Sequence, residues 1–140
     1  MTHKEKLAWQ REHRRRTGNS DTKRYEKSPR GYLMRAYRNA LSRVTGVQHL
    51  KAHLYAGKTI MPKEDFYEWA WSSVAFWRLF RAWEASGYDR KLSPSLNRID
   101  PDKGYEVGNV EWVTHSVNSS LGASRERRAI YSAIRKVLSA

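Results

Sequence analysis

The chain of 140 residues contains no cysteine, which excludes disulfide cross-links and thiolate metal sites together. Any bound metal must then be held by oxygen or imidazole, a donor set that suits Mg²⁺ or Mn²⁺. No apolar run approaches the roughly 18 residues that a membrane-spanning helix needs. The opening stretch "MTHKEKLAWQREHRRR" also lacks the apolar block of a secretory signal. The expectation is a soluble, cytoplasmic protein with no membrane partner.

Acidic side chains are scarce. The 27 Lys and Arg face only 14 Asp and Glu, for a formal charge of +13, and such an excess is an electrostatic footprint for a polyanion. Its distribution is uneven. Residues 1–30 hold ten basic and four acidic side chains, residues 121–140 five and one, and residues 31–120 twelve and nine. Most of the surplus therefore lies at the two ends, where Arg14, Arg15, Arg16, Arg125, Arg127 and Arg128 are candidates to grip phosphate.

Aromatic residues, in contrast, are plentiful: six Trp, eight Tyr and three Phe. Rings serve both core burial and base stacking. From Met61 to Gly87, Phe66, Trp69, Phe76, Leu79, Phe80 and Trp83 recur at three- and four-residue steps, the spacing of a packed helical face. They are expected in a core, on two helices broken near Ser72 and Ser73. Pro62, Glu64 and Asp65 suit the start of the first helix, and Gly87 ends the second.

Upstream, "SPRGYLMRAYRNALSRVTG" predicts a helix with Ser28 as N-cap, Pro29 at its first position and Gly46 past its end. Leu33, Tyr37, Leu41 and Val44 should form its buried stripe. Arg35, Arg38 and Arg43 lie off that stripe, available to phosphate or simply solvated. Residues 2–16 can form a basic helix, whereas "RRRTGNSDTK" reads as an arm that orders only on a partner. "VQHLKAHLYAGKTI" suggests a short helix ending near Gly57. His49 and His53 sit four apart in it, with no carboxylate nearby to complete a metal site.

After Tyr88 the texture changes. "KLSPSLNRID" and "NVEWVT" are strand-like, "PDKGYEVG" between them is turn-rich, and "HSVNSSLGASRERRAIYSAIRKVLSA" returns to helix with a break expected at Gly122. A further amphipathic stretch is set by Ile130, Ile134 and Val137. Thr114 is placed to cap this last helix, with His115 in its first turn and Asn118 on the same face. Asn97, Arg98 and Asp100 cluster at the end of the first strand, and Asn109 lies just before the second. Such residues can converge on a phosphodiester, or make ordinary turns.

The stretch "PSLNRIDPDKGYEVGNVEWVTHSVN" resembles the HNH family of ββα-metal endonucleases, in particular short phage-encoded members with a "P-S-x-D-R-I-D…G-Y…N-x-x-W-x-T-H-x-x-N" signature. "SPRGYLMRAYRN", "EDFYEW" and "FWRLFRAW…SGYDRKL" resemble the helical region upstream in such proteins, so the similarity covers roughly residues 28–122. The resemblance implies an α+β fold, a mostly helical N-terminal region followed by a ββα-metal unit. The parts are a basic arm at 1–27 that need not be ordered alone, a helical region at 28–89, the ββα motif at 90–122 and a basic helix at 123–140.

The resemblance also implies a site. Asn97 takes the position of the acidic metal ligand, Arg98 that of the catalytic His, Asn109 that of the Asn bracing the inter-strand loop, and Asn118 that of a second metal ligand on the helix. Arg98 in place of the His is usual in the Asp-Arg-Ile-Asp subgroup; Asn97 departs from that subgroup's Asp. Arg98 cannot accept a proton near neutral pH, and its expected role is to hold phosphate or stabilise negative charge. His115, the one imidazole in the motif, is the candidate for proton transfer, or else contacts phosphate or packs at the helix start. Asn97 offers a carbonyl oxygen without charge, so the DNA phosphate or Asp100 would have to supply the missing negative charge.

The activity implied is hydrolysis of double-stranded DNA with Mg²⁺ or Mn²⁺, by a homing or nicking enzyme acting in the host cytoplasm if phage-encoded. The alternative is an HNH-like scaffold that has lost cleavage and binds DNA or a host protein. An RNA-binding protein fits the charge and little else, since no RNA-recognition signature is present.

Overall fold

The computed structural model describes residues 1–47 and 52–138. The fold is α+β, mostly helical with one antiparallel pair of strands. The chain divides into two compact units, residues 1–39 and 40–140.

In the first unit, α1 (His3–Thr17) begins with a capping box. The Thr2 hydroxyl accepts from the Glu5 N–H, and the Glu5 carboxylate accepts from the Thr2 N–H. Gly18 and Asn19, both with φ above 60°, turn the chain sharply, and α2 (Ser20–Glu26) follows. Residues 1–27, read from the sequence as a basic arm, thus carry helix, turn and helix. His13 stacks on Trp9 and reaches Asp21 at 2.8 Å, which ties the two helices together.

α3 (Pro29–Val44) starts as expected: the Ser28 hydroxyl accepts from the Gly31 N–H, and Gly46 follows the end with φ 77°. Its buried residues are Leu33, Ala40 and Val44, with Tyr37 half-buried, while Leu41 is exposed. The stripe therefore runs through Ala40 and not Leu41, since steps of four, three and four hold one helical face better than steps of four, four and three.

In the second unit, α4 (Ala52–Tyr55) is a single turn, and Gly57 beyond it adopts φ 78°. His53 is exposed there, and His49 lies outside the described residues. α5 (Lys63–Trp71) and α6 (Val74–Ala85) are separated at Ser72 and Ser73, with the Ser73 hydroxyl capping α6. A 3₁₀ turn (Arg90–Leu92) leads into β1 (Pro94–Arg98), which pairs antiparallel with β2 (Val110–Thr114). The register places Leu96 opposite Trp112 and Asn97 opposite Glu111.

α6 covers one face of this hairpin. Trp112 inserts among Phe66, Trp69 and Phe76, parallel to Trp69 at 5.9 Å between ring centroids and 5.0 Å from Phe76. Phe66, Ala70, Phe76, Phe80, Leu96 and Val110 complete the core. The aromatic repeat from Met61 to Gly87 is thus a packed face; Leu79 and Trp69 are half-buried at its margin.

α7 (His115–Leu138) is one helix of 24 residues that passes through Gly122 without a break. Gly122 is not in the left-handed region, and a methyl group there would meet nothing within 4 Å. A lone Gly in a helix weakens it by about 1 kcal/mol and does not by itself stop it. Ile130, Ile134 and Val137 are on this helix as expected, but exposed.

Candidate functional site

Strand alternation sorts the hairpin's side chains into two faces. Pro94, Leu96 and Arg98 share one with Val110, Trp112 and Thr114; Ser95 and Asn97 share the other with Glu111 and Val113. The first face carries the aromatic core. α7 reaches the second, where the Asn118 side-chain amide lies 2.7 Å from the Ser95 hydroxyl.

Thr114 fixes the start of α7, its hydroxyl accepting from the Val117 N–H at 3.2 Å. The His115 N–H is held by the Ser93 carbonyl at 2.9 Å. Asn118 stands one turn further on and faces β1, and His115, three residues earlier, shares its side of the helix. Asn97 is 4% exposed and donates from Nδ2 to the Glu111 carboxylate at 2.8 Å. This contact orients its amide: an ionised carboxylate cannot donate, so the NH₂ must face it.

Asn109 organises the loop between the strands. Its Oδ1 accepts from the Asp100 N–H at 2.9 Å, and its Nδ2 donates to the Asp100 and Gly104 carbonyls at 3.1 and 2.7 Å. One buried amide thus satisfies three backbone groups of the inter-strand turn. Gly104 is required by close approach, because a Cβ there would collide with the Thr59 backbone. Beside it, the Tyr105 N–H donates to the Thr59 carbonyl and the Met61 N–H to the Tyr105 carbonyl.

Arg98 is not on the face with Asn97. It is 6% exposed and donates to the Pro101, Lys103 and Leu54 carbonyls at 2.9, 3.0 and 3.4 Å. Its guanidinium also lies over the Tyr55 ring at 4.2 Å. The planar fork suits several carbonyls at once, and an aromatic face offsets the cost of burying the charge. In this structure the group expected to hold the reacting phosphate is directed inward and engaged with backbone carbonyls. Tyr105, 2% exposed, joins the same cluster, and its hydroxyl accepts from Arg43 at 3.3 Å. Burial pushes the Tyr105 phenol above its ordinary pKa, with Arg43 pulling the other way. Arg43, expected on a free face, is likewise turned inward.

Asp100 acts in the turn, where its carboxylate accepts from the Asp102 N–H at 3.0 Å. Among the described residues no three His, Asp or Glu side chains come close enough to hold a metal ion. On the second hairpin face lie Asn97 and Glu111, joined by a hydrogen bond, and Ser95, which Asn118 reaches from α7. No motif in the sequence singles out Glu111. Its signal is pairing: in "NVEWVT" it alternates with the core Trp112, and a hairpin that puts Trp112 opposite Leu96 puts Glu111 opposite Asn97.

Of the expected phosphate-binding residues, Arg14, Arg15 and Arg16 are exposed on the last turn of α1, with Arg15 paired to Glu12 at 2.7 Å. That pairing pulls the Glu12 carboxyl below its usual range. Arg35 and Arg38 lie on α3, and Arg35 meets Glu26 at 3.2 Å. Arg125, Arg127 and Arg128 lie on α7 by backbone. No helix is long and apolar enough to cross a membrane among the described residues. Comparison of the chain with family models, with curated proteins and with solved structures gives no match.

Proposed function

We propose that the chain is a metal-dependent DNA endonuclease of the HNH type, in which basic segments hold duplex DNA and the β1–β2–α7 unit hydrolyses a phosphodiester bond. The observation that carries this reading is that Asn118 reaches Ser95, on the same hairpin face as Asn97, from a position 21 residues further along the chain than Asn97. The resemblance names Asn97 and Asn118 as metal ligands, and nothing in their local sequence requires them to share a surface. The braced loop at Asn109 supports the same reading.

The donors on this face are oxygens of amide, carboxylate and hydroxyl groups, which fit a hard cation such as Mg²⁺ or Mn²⁺. Asn97, Asn118 and Glu111 would hold it. When bound, such an ion supplies Lewis-acid stabilisation of charge on the phosphate and favours ionisation of water. His115, three residues before Asn118 on α7, is the imidazole to which we assign proton transfer there. Arg98 contributes by positioning: it holds the Pro101 and Lys103 carbonyls and so the strand end that presents Asn97.

The inward placement of Arg98 and the single carboxylate favour a second reading, an HNH-like scaffold that binds DNA, or a host protein, without cutting. Supercoiled plasmid incubated with the protein and Mg²⁺ or Mn²⁺ separates the two. Conversion to open-circular or linear DNA that chelation stops is expected of the enzyme. Retarded but intact plasmid under every metal condition would favour the binding protein.

A further inference from the structure

We infer that residues 54–61 are a strap that sets the shape of the inter-strand loop, with Lys58 and Thr59 as positioning residues that act through the loop on the end of β1. The inference rests on the nuclease reading for what the site does, and on the contacts of the strap for how the loop is held. Six consecutive carbonyls of the loop, from Asp100 to Tyr105, each accept a hydrogen bond. Asn109 supplies those to Asp100 and Gly104, and Arg98 those to Pro101 and Lys103. The other two come from the strap: Lys58 Nζ reaches the Asp102 carbonyl at 2.8 Å, and the Met61 N–H reaches that of Tyr105 at 2.8 Å. Arg98 in turn leans on the strap, donating to the Leu54 carbonyl and covering the Tyr55 ring.

The register between strap and loop is fixed. Ile60 pairs with Tyr105 as a parallel bridge, and the Thr59 hydroxyl donates to the Glu106 carboxylate. The approach is so close that a Cβ at position 104 would run into the Thr59 backbone, and only glycine fits there. The strap also has anchors away from the loop: the Gly57 N–H donates to the Val44 carbonyl at 3.0 Å, and the Met61 side chain is buried. From the loop the constraint reaches the site through the loop's neck, where the Ile99 N–H, two residues beyond Asn97, donates to the Asn109 carbonyl at 2.8 Å. Without the strap, Arg98 loses its ring and one carbonyl, and the loop loses two of its six carbonyl bonds. The loop would then open locally, and the end of β1 that carries Asn97 would open with it.

Amide hydrogen exchange in the full chain, alongside steady-state plasmid cleavage with Mg²⁺, tests this. Gly104→Ala pushes the strap off the loop, whereas the milder double variant Lys58→Met with Thr59→Val removes two side-chain contacts and keeps the backbone ones. The readout is the Ile99 and Asp100 N–H groups, both held by Asn109 and not by the strap. Their exchange should quicken by at least about tenfold in both variants while α6 keeps the parental rate, the mark of local opening. Lys58→Arg with Thr59→Ser keeps a donor in each place and should exchange like the parent. Parental exchange at Ile99 and Asp100 in both variants, or an equal rise across α6, would overturn the inference. In cleavage, positioning predicts a fall in kcat of at least about tenfold at a nearly unchanged KM; parental kcat with the strap displaced would overturn it as well. Failure of the nuclease reading looks different: a parent that leaves plasmid intact, with exchange as expected, removes the enzyme and leaves the strap.

Discussion

Neighbours in β1, Asn97 and Arg98 face opposite ways, and the chemistry of each follows from the face it is on. Arg98 closes the inter-strand loop through three carbonyls and the Tyr55 ring. Arg98→Ala should therefore destabilise the fold by about 3 kcal/mol, the scale of removing hydrogen bonds to a buried charged group. Arg98→Lys should recover little, since one ammonium cannot reproduce a planar fork. Urea unfolding of both variants checks this; stability equal to the parent's, with only activity lost, would return Arg98 to the reacting phosphate. Tyr105, buried against the same cluster, has a second consequence. Its pKa is raised in the fold by burial, so the unfolded state loses its phenolic proton first. The stabilisation from this group is whole below about pH 10, the ordinary tyrosine value, and declines as pH rises toward the folded pKa. Tyr105→Phe should flatten that alkaline decline in chemical unfolding experiments run across the range.

At the scale of elements, most helix and strand positions are legible in the sequence because local chemistry and periodicity agree. Ser28 and Pro29 begin α3, Ser72 and Ser73 part α5 from α6, and Thr114 caps α7, all as expected. Two features are not legible in this way. The turn at Gly18 and Asn19 joins two helices, which the capping at Thr2 and Glu5 and the His13–Asp21 contact support. Gly122 carries the mark of a break, but a glycine without a following stop signal is only a weak point in a long helix. Gly122→Ala should accordingly stabilise α7 by about 0.5–1 kcal/mol, with open space for the methyl group. Thermal unfolding followed by circular dichroism measures this; a lower melting temperature would show that the glycine's freedom is needed.

For the whole molecule, charge sets the interaction range. On the proposed reading, duplex binding draws on Arg14, Arg15, Arg16, Arg35, Arg38 and the basic stretch of α7, so affinity should fall steeply with salt. Each phosphate that the protein neutralises adds about 0.9 to the steepness of log K against log salt. Replacing Arg14, Arg15 and Arg16 together with Ala should reduce that slope by roughly 2 or more if all three touch phosphate. Fluorescence anisotropy with one duplex over a salt series reads it directly. An unchanged slope would place the DNA elsewhere on the molecule.

The sequence by itself determined the absence of thiol chemistry, the basic ends, the aromatic core and the order strand, loop, strand, helix, because each depends on composition or on contacts a few residues apart. That Asn109 braces the loop was implied by the family resemblance; the residues alone read equally well as an ordinary turn. Only the tertiary structure decided which side chains share a surface. Burial of Arg98 depends on Leu54 and Tyr55, more than 40 residues upstream. The pairing of Asn97 with Glu111 depends on a strand register fixed when Trp112 enters the pocket of Phe66, Trp69 and Phe76. A shift of that register by one residue would turn Glu111 into the core and Trp112 out of it, so the packing of one indole selects the partner of Asn97.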